Sequence, residues 1–89
     1  MELNKRVALV TGGAHRVGKA IALALARAGA DLVIHYNRSV EAAEDTADEI
    51  RSSGRRAITV GADLGRVTEI DRLFQQVERE FARLDVLVN

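Results

Sequence analysis

Four short apolar runs recur at nearly even intervals, and their spacing constrains the fold more than any other feature of the chain. They are Val7-Ala8-Leu9-Val10, Leu32-Val33-Ile34, Ala57-Ile58-Thr59-Val60 and Val86-Leu87-Val88. Each is short and β-branched, with Gly, Asp or Asn within two residues of at least one end. A strand with one wet face alternates apolar and polar residues, whereas a strand covered on both faces does not. Continuous runs therefore suit a parallel sheet between layers of helix. The three intervals carry helical periodicity instead. Val17, Ile21 and Leu25 share one face of the first, Val40, Ala43, Ala47 and Ile50 one face of the second, and Val67, Ile70, Leu73, Phe74, Val77 and Phe81 one face of the third. Gly29 and Gly54 fall at expected helix ends, and Ser39 stands as an N-cap before Val40. Acid–arginine pairs at i,i+3 (Asp48/Arg51, Glu69/Arg72, Glu80/Arg83) suit solvated helix faces. The predicted order is β-α-β-α-β-α-β. Right-handed crossovers make it an open α/β sheet with helices on its faces.

Composition narrows the function. Thirteen Lys+Arg balance thirteen Asp+Glu, which argues against nucleic-acid or anionic-membrane partners, since both need a basic excess. The absence of cysteine excludes disulfides, thiolate metal sites and thiol nucleophiles. No residues have metal-ligand spacing, so no metal is expected. No apolar stretch approaches a bilayer span, and Glu2-Leu3-Asn4-Lys5-Arg6 after Met1 lacks the apolar run of a signal peptide. The expectation is a soluble, cytoplasmic protein with a mostly aliphatic core.

The segment Val10-Thr11-Gly12-Gly13-Ala14-His15-Arg16-Val17-Gly18 joins the first strand to the first helix. Glycines there let backbone N–H groups approach a phosphate, and the helix N-terminus adds unpaired donors and partial positive charge. Two phosphate-loop patterns overlap. Gly13 through Lys19 matches G-x-x-x-x-G-K, but the Mg²⁺-binding hydroxyl required next is replaced by Ala20. Thr11-Gly12-x-x-x-Arg16-x-Gly18 instead resembles the T-G-x-x-x-G-x-G signature of the short-chain dehydrogenase/reductase family. The resemblance extends through Ala62-Asp63-Leu64 and Leu84-Asp85-Val86-Leu87-Val88-Asn89, which looks like the lead-in to an Asn-Asn-Ala-Gly motif. Arg16 replaces the middle glycine. Together with His35-Tyr36-Asn37-Arg38-Ser39, that exchange resembles the pteridine-reductase-like branch.

The nucleotide preference has its own signal. NAD-type sites use an acid near the end of the second strand to hold the ribose 2′-hydroxyl. No acid occurs from Leu32 through Ser39, and Asp31 lies at the strand entrance. Asn37, Arg38 and Ser39 stand at the exit, where Arg38 can pair with a 2′-phosphate through charge-assisted hydrogen bonds. NADP is therefore the expected cofactor. The resemblance implies cofactor contacts from Thr11, Gly12, Gly13, His15, Arg16, Val17, Gly18, Tyr36, Asn37, Arg38, Ser39, Asp63, Leu64 and Asn89. Within that set, Arg16 would lie near the pyrophosphate and face the substrate, Asp63 would accept from the adenine amino group, and Asn89 would border the adenosine ribose. His15 and His35 do not make a catalytic pair.

The family's carbonyl reduction uses a Tyr-x-x-x-Lys pair and a Ser. Tyr36 is the only tyrosine and is followed four residues later by Val40, so no catalytic residue is assigned. Residues 1–89 read as the N-terminal part of a doubly wound, NADP-binding Rossmann domain, whose second half would begin at the fourth strand. The expectation is the ADP half of the cofactor site of a carbonyl or pteridine reductase, inactive alone, whose parent protein forms a homo-oligomer. The alternatives are a stand-alone nucleotide-binding or oligomerising module and a degenerate ATP-type phosphate-loop protein.

Overall fold

Each apolar run becomes a strand and each periodic interval a helix in the computed structural model, which describes residues 2–89. The order is β1 (Val7–Val10), α1 (Arg16–Arg27), β2 (Asp31–Tyr36), α2 (Val40–Ser52), β3 (Ala57–Gly61), α3 (Val67–Phe81) and β4 (Val86–Val88). The strands form one parallel sheet in the order β3-β2-β1-β4. β1 pairs with β2 from Val7↔Asp31 to Val10↔Ile34, and with β4 from Ala8↔Val86 to Val10↔Val88.

Alternate side chains of these strands divide the core. Ala8, Val10, Leu32 and Ile34 pack with Ala22 and Ala26 of α1 and Ala43, Ala47 and Ile50 of α2. Val7, Leu9 and Val33 pack on the other face with Leu73 and Val77 of α3. The core is aliphatic, as the composition requires. The buried stripe of α1 is narrower than its periodicity suggests: Ala22 and Ala26 are buried, Ile21 and Leu25 flank them, and Val17 is 71% exposed. Methyl side chains let this helix lie close to the sheet, displacing the larger residues to its sides. Val40 and Val67 also start their helices exposed, and Phe74 of α3 is exposed too.

The helix ends hold to pattern at two positions. Gly29 and Gly54 follow α1 and α2 with φ of +107° and +94°. Ser39 occupies the N-cap position of α2, but its side chain makes no capping hydrogen bond. Asp48–Arg51 and Glu69–Arg72 form the expected pairs at 3.0 and 3.2 Å. Arg83 does not pair with Glu80. Helix α3 ends at Phe81, and Ala82 turns left-handed at φ 58°, so Arg83 leaves the helical face and grips Asp85 at 2.7 and 2.8 Å. Asp85 in turn ties β4 to β1. Its carboxylate accepts the Val7 N–H at 2.9 Å, while its own N–H donates to the Val7 carbonyl at 2.9 Å.

Candidate nucleotide-binding site

All four strands are parallel, so the segments that follow them meet at one edge of the sheet. Thr11–Gly18 follows β1, Asn37–Ser39 follows β2, Ala62–Leu64 follows β3 and Asn89 follows β4. The connection leaving β1 crosses to β2 on one face, while β4, on the other side of β1, is reached through α3 on the opposite face. In open α/β sheets this reversal opens a crevice at the carboxyl ends of the strands.

The glycine turn is fixed by its neighbours. The Thr11 N–H donates to the Val88 carbonyl at 3.0 Å, and the Thr11 hydroxyl lies 3.1 Å from Asn89 Oδ1. The Gly13 N–H donates to the His35 carbonyl at 3.2 Å. Gly12 turns at φ +66°, and a Cβ added there would meet nothing within 4 Å. Gly18 is held against this turn, since a Cβ on it would fall 2.2 Å from the Gly12 carbonyl oxygen. Helix α1 therefore begins directly beside the turn. Its first intrahelical bond runs from the Lys19 N–H to the His15 carbonyl. The N–H groups of Arg16, Val17 and Gly18 precede it, and no acid stands in the first turn. That combination of donors and positive dipole favours an anion.

Arg16 occupies this helix start at φ +45°, in the left-handed region that glycine adopts freely. The sequence marks the position as a glycine exchanged for arginine, and the backbone gives the physical reason a glycine suits it. His15, Arg16, Val17, Asn37, Arg38 and Ser39 are all exposed. His15, Arg38 and Ser39 line one cleft of about 440 Å³. Glu41, in the first turn of α2, lines the same cleft. The acid-free stretch that begins at Leu32 runs through Val40, and this carboxylate is the residue that ends it. Tyr36 is half-buried, its ring against Gly61. A larger depression of about 600 Å³, lined by Asn4, Arg27, Gly29 and Arg55, lies at the opposite edge of the sheet and takes no part in this arrangement.

After β3, Asp63 shapes its own turn by accepting the Gly65 N–H at 2.9 Å. Its N–H donates to Glu69 at 3.4 Å. The hydrogen bond from Arg72, with this N–H second, holds the Glu69 carboxyl below its ordinary value. Leu64 is half-buried and borders an apolar cleft shared with Thr11 and Asn89. The structure thus gathers every sequence-marked residue at one edge. Among the described residues no three His, Cys, Asp or Glu form a metal-holding group, and no helix is long and apolar enough to cross a membrane.

A β3-β2-β1-β4 parallel sheet with a glycine turn feeding a helix N-terminus defines a Rossmann-type nucleotide-binding unit. The family model for short chain dehydrogenases matches residues 6–89, and the chain belongs to that family. It is 46% identical over 84 residues to the hydroxynaphthalene reductase-like protein Arp2 of Metarhizium brunneum, covering 94% of this chain and 32% of that protein. It is 44% identical over 85 residues to the versicolorin reductase stcU of Emericella nidulans, covering 96% and 32%. Among solved structures, a short chain dehydrogenase from Burkholderia cenocepacia in complex with NADP superposes with a TM-score of 0.94 at 40% identity, covering 100% of this chain and 36% of that one. The angucycline C-6 ketoreductase LanV with bound NADP gives 0.86 at 37% identity, covering 97% and 36%. The chain spans about a third of the length of the curated relatives it matches.

Proposed function

We propose that residues 1–89 supply the ADP half of an NADP site in a short-chain reductase whose substrate is a small carbonyl compound. The observation that carries this reading is the convergence at one sheet edge of the Gly12–Gly18 turn, the acid-free start of α1 and the exposed Arg38. The residues fit the group: the space over Gly12 and the N–H groups of Arg16–Gly18 suit a diphosphate, and Arg38 with His15 suits a 2′-phosphate. Asp63 would accept from the adenine amino group and Asn89 would border its ribose. When bound, NADPH supplies the hydride. The work of this chain is to bind the adenosine end and hold the turn rigid through the Val88 and His35 carbonyls.

One similar protein is named hydroxynaphthalene reductase-like, one a versicolorin reductase and one a ketoreductase, which favours a carbonyl substrate. The combination of Arg16 with His35-Tyr36-Asn37-Arg38-Ser39 supports a pteridine as the second reading. No Tyr-x-x-x-Lys pair occurs in these residues, so binding without turnover is expected of them alone.

Calorimetric titration with adenosine 2′,5′-diphosphate, adenosine 5′-diphosphate and Mg-ATP tests the reading. The 2′,5′-diphosphate is expected to bind tightest, and Arg38→Ala to weaken it by about tenfold, as for loss of a charged hydrogen bond. A magnesium-dependent preference for ATP, or indifference to the 2′-phosphate, overturns it.

A further inference from the structure

Two turns at the carboxyl edge belong to different strands, and one buried side chain joins them. His35, on β2 between β1 and β3, is 5% exposed. Its Nδ1 accepts the Gly12 N–H at 3.2 Å. Its Nε2 lies 2.8 Å from the Ala62 carbonyl oxygen. A backbone N–H only donates and a carbonyl only accepts, so the two partners select one state: neutral, bare at Nδ1 and protonated at Nε2. Main-chain bonds run alongside, from the Gly13 N–H to the His35 carbonyl at 3.2 Å and from the Ala62 N–H to the Tyr36 carbonyl at 3.1 Å.

We infer that His35 is a positioning residue that fixes the distance between the phosphate turn at Gly12 and the adenine turn at Asp63. This inference rests on the nucleotide-binding reading above. A leucine would fill the core as well as imidazole does, and the strand would form without a polar side chain there. An imidazole bridging two turns adds rigid placement of two half-sites that a single ligand must meet together. A ligand touching one turn gains nothing from that bridge, whereas a ligand spanning both gains the ordering already in place.

The test separates the two kinds of ligand. Native protein, His35→Leu and His35→Asn are titrated with adenosine 2′,5′-diphosphate, which spans both turns, and with adenosine and inorganic pyrophosphate, which each meet one. The leucine variant is expected to bind the 2′,5′-diphosphate about tenfold more weakly while the two short probes change by less than about twofold. The asparagine variant keeps an acceptor near the Nδ1 position and is expected to recover part of the loss. Long-range ¹H–¹⁵N spectra of native protein are expected to report an Nε2-protonated ring, a readout that holds even where a variant fails to fold. Equal weakening of all three probes, unchanged binding of the 2′,5′-diphosphate, an asparagine variant no tighter than leucine, or an Nδ1-protonated ring each overturns the inference. Native protein that binds none of the probes overturns the nucleotide reading itself. Native binding that leucine leaves unchanged removes only the bridge.

Discussion

Arg16 costs the fold something at the place where the proposed site would use it. A β-carbon at φ +45° crowds the following carbonyl, a strain of about 1 kcal/mol that glycine would not carry. Arg16→Gly is therefore expected to raise unfolding stability by about 1 kcal/mol in urea melts. Affinity for adenosine 2′,5′-diphosphate is expected to fall at the same time, because a cation next to the phosphate turn is lost. Stability and binding moving in opposite directions is the signature to look for; if both rise, Arg16 has no part in holding the ligand. Glu41 has the opposite sign. Its carboxylate shares a cleft with Arg38 and His15 and would oppose a 2′-phosphate bound there. Glu41→Gln is expected to tighten binding of the 2′,5′-diphosphate by about two- to fivefold at low salt, the scale of an exposed charge pair, and to leave adenosine 5′-diphosphate nearly unchanged. Calorimetry at two ionic strengths checks both the sign and the screening.

Helix and strand ends show where the sequence was legible and where it was not. The four strands were readable because burial on both faces leaves continuous apolar runs such as Val7–Val10, with no helix-period alternative. The end of α3 was not: Phe81 continues the apolar stripe, and nothing in Ala82 marks a left-handed cap. The expected Glu80–Arg83 pair failed for that reason. The shared edge of Asp63 and the glycine turn was legible because loops that follow parallel strands meet there, whereas the His35 bridge depends on distances across the sheet that no local pattern carries, and Glu41 on which way the first turn of α2 faces. Ala82→Gly is expected to stabilise the protein by about 1 kcal/mol, raising the melting temperature of a chain this short by about 4–8 °C. The junction below it titrates. Arg83, then the Val7 N–H, hold the Asp85 carboxyl down at about 2, below its ordinary 3.8. A lowered folded value means stability fully present above the ordinary carboxylate range and lost as pH falls towards about 2. Urea midpoints measured from pH 6 to pH 2 are expected to drop less steeply in Asp85→Asn than in native protein. Parallel curves would mean that Asp85 does not anchor β4.

At the scale of the whole molecule, the two faces of the sheet are unequally covered. Helices α1 and α2 lie over one face, where Val86 and Val88 of β4 also find partners. The other face has α3 alone, and Leu87 of β4 points there with 56% of its surface exposed. Phe74 of α3, 40% exposed, stands across a cleft of about 290 Å³ also lined by Leu9, Ile70 and Leu73. Apolar side chains grouped around a cleft differ from the scattered exposed ones that any surface carries, because a hydrophobic probe can touch several at once. The asymmetry follows from handedness. Steps from β1 to β2 to β3 run one way with α1 and α2 on one face, so the return from β3 to β4 must carry α3 on the other. One helix then covers a face that holds both β1 and β4. Residues 1–89 alone are expected to bind the dye 1-anilinonaphthalene-8-sulfonate while keeping native helical circular dichroism. Leu87→Glu with Phe74→Glu is expected to abolish most of that fluorescence without unfolding the chain, since both side chains already stand partly in water. Dye binding that survives the double substitution would put the apolar surface elsewhere. Binding that disappears together with the helical signal would mean that Leu87 and Phe74 belong to the core rather than to an uncovered face.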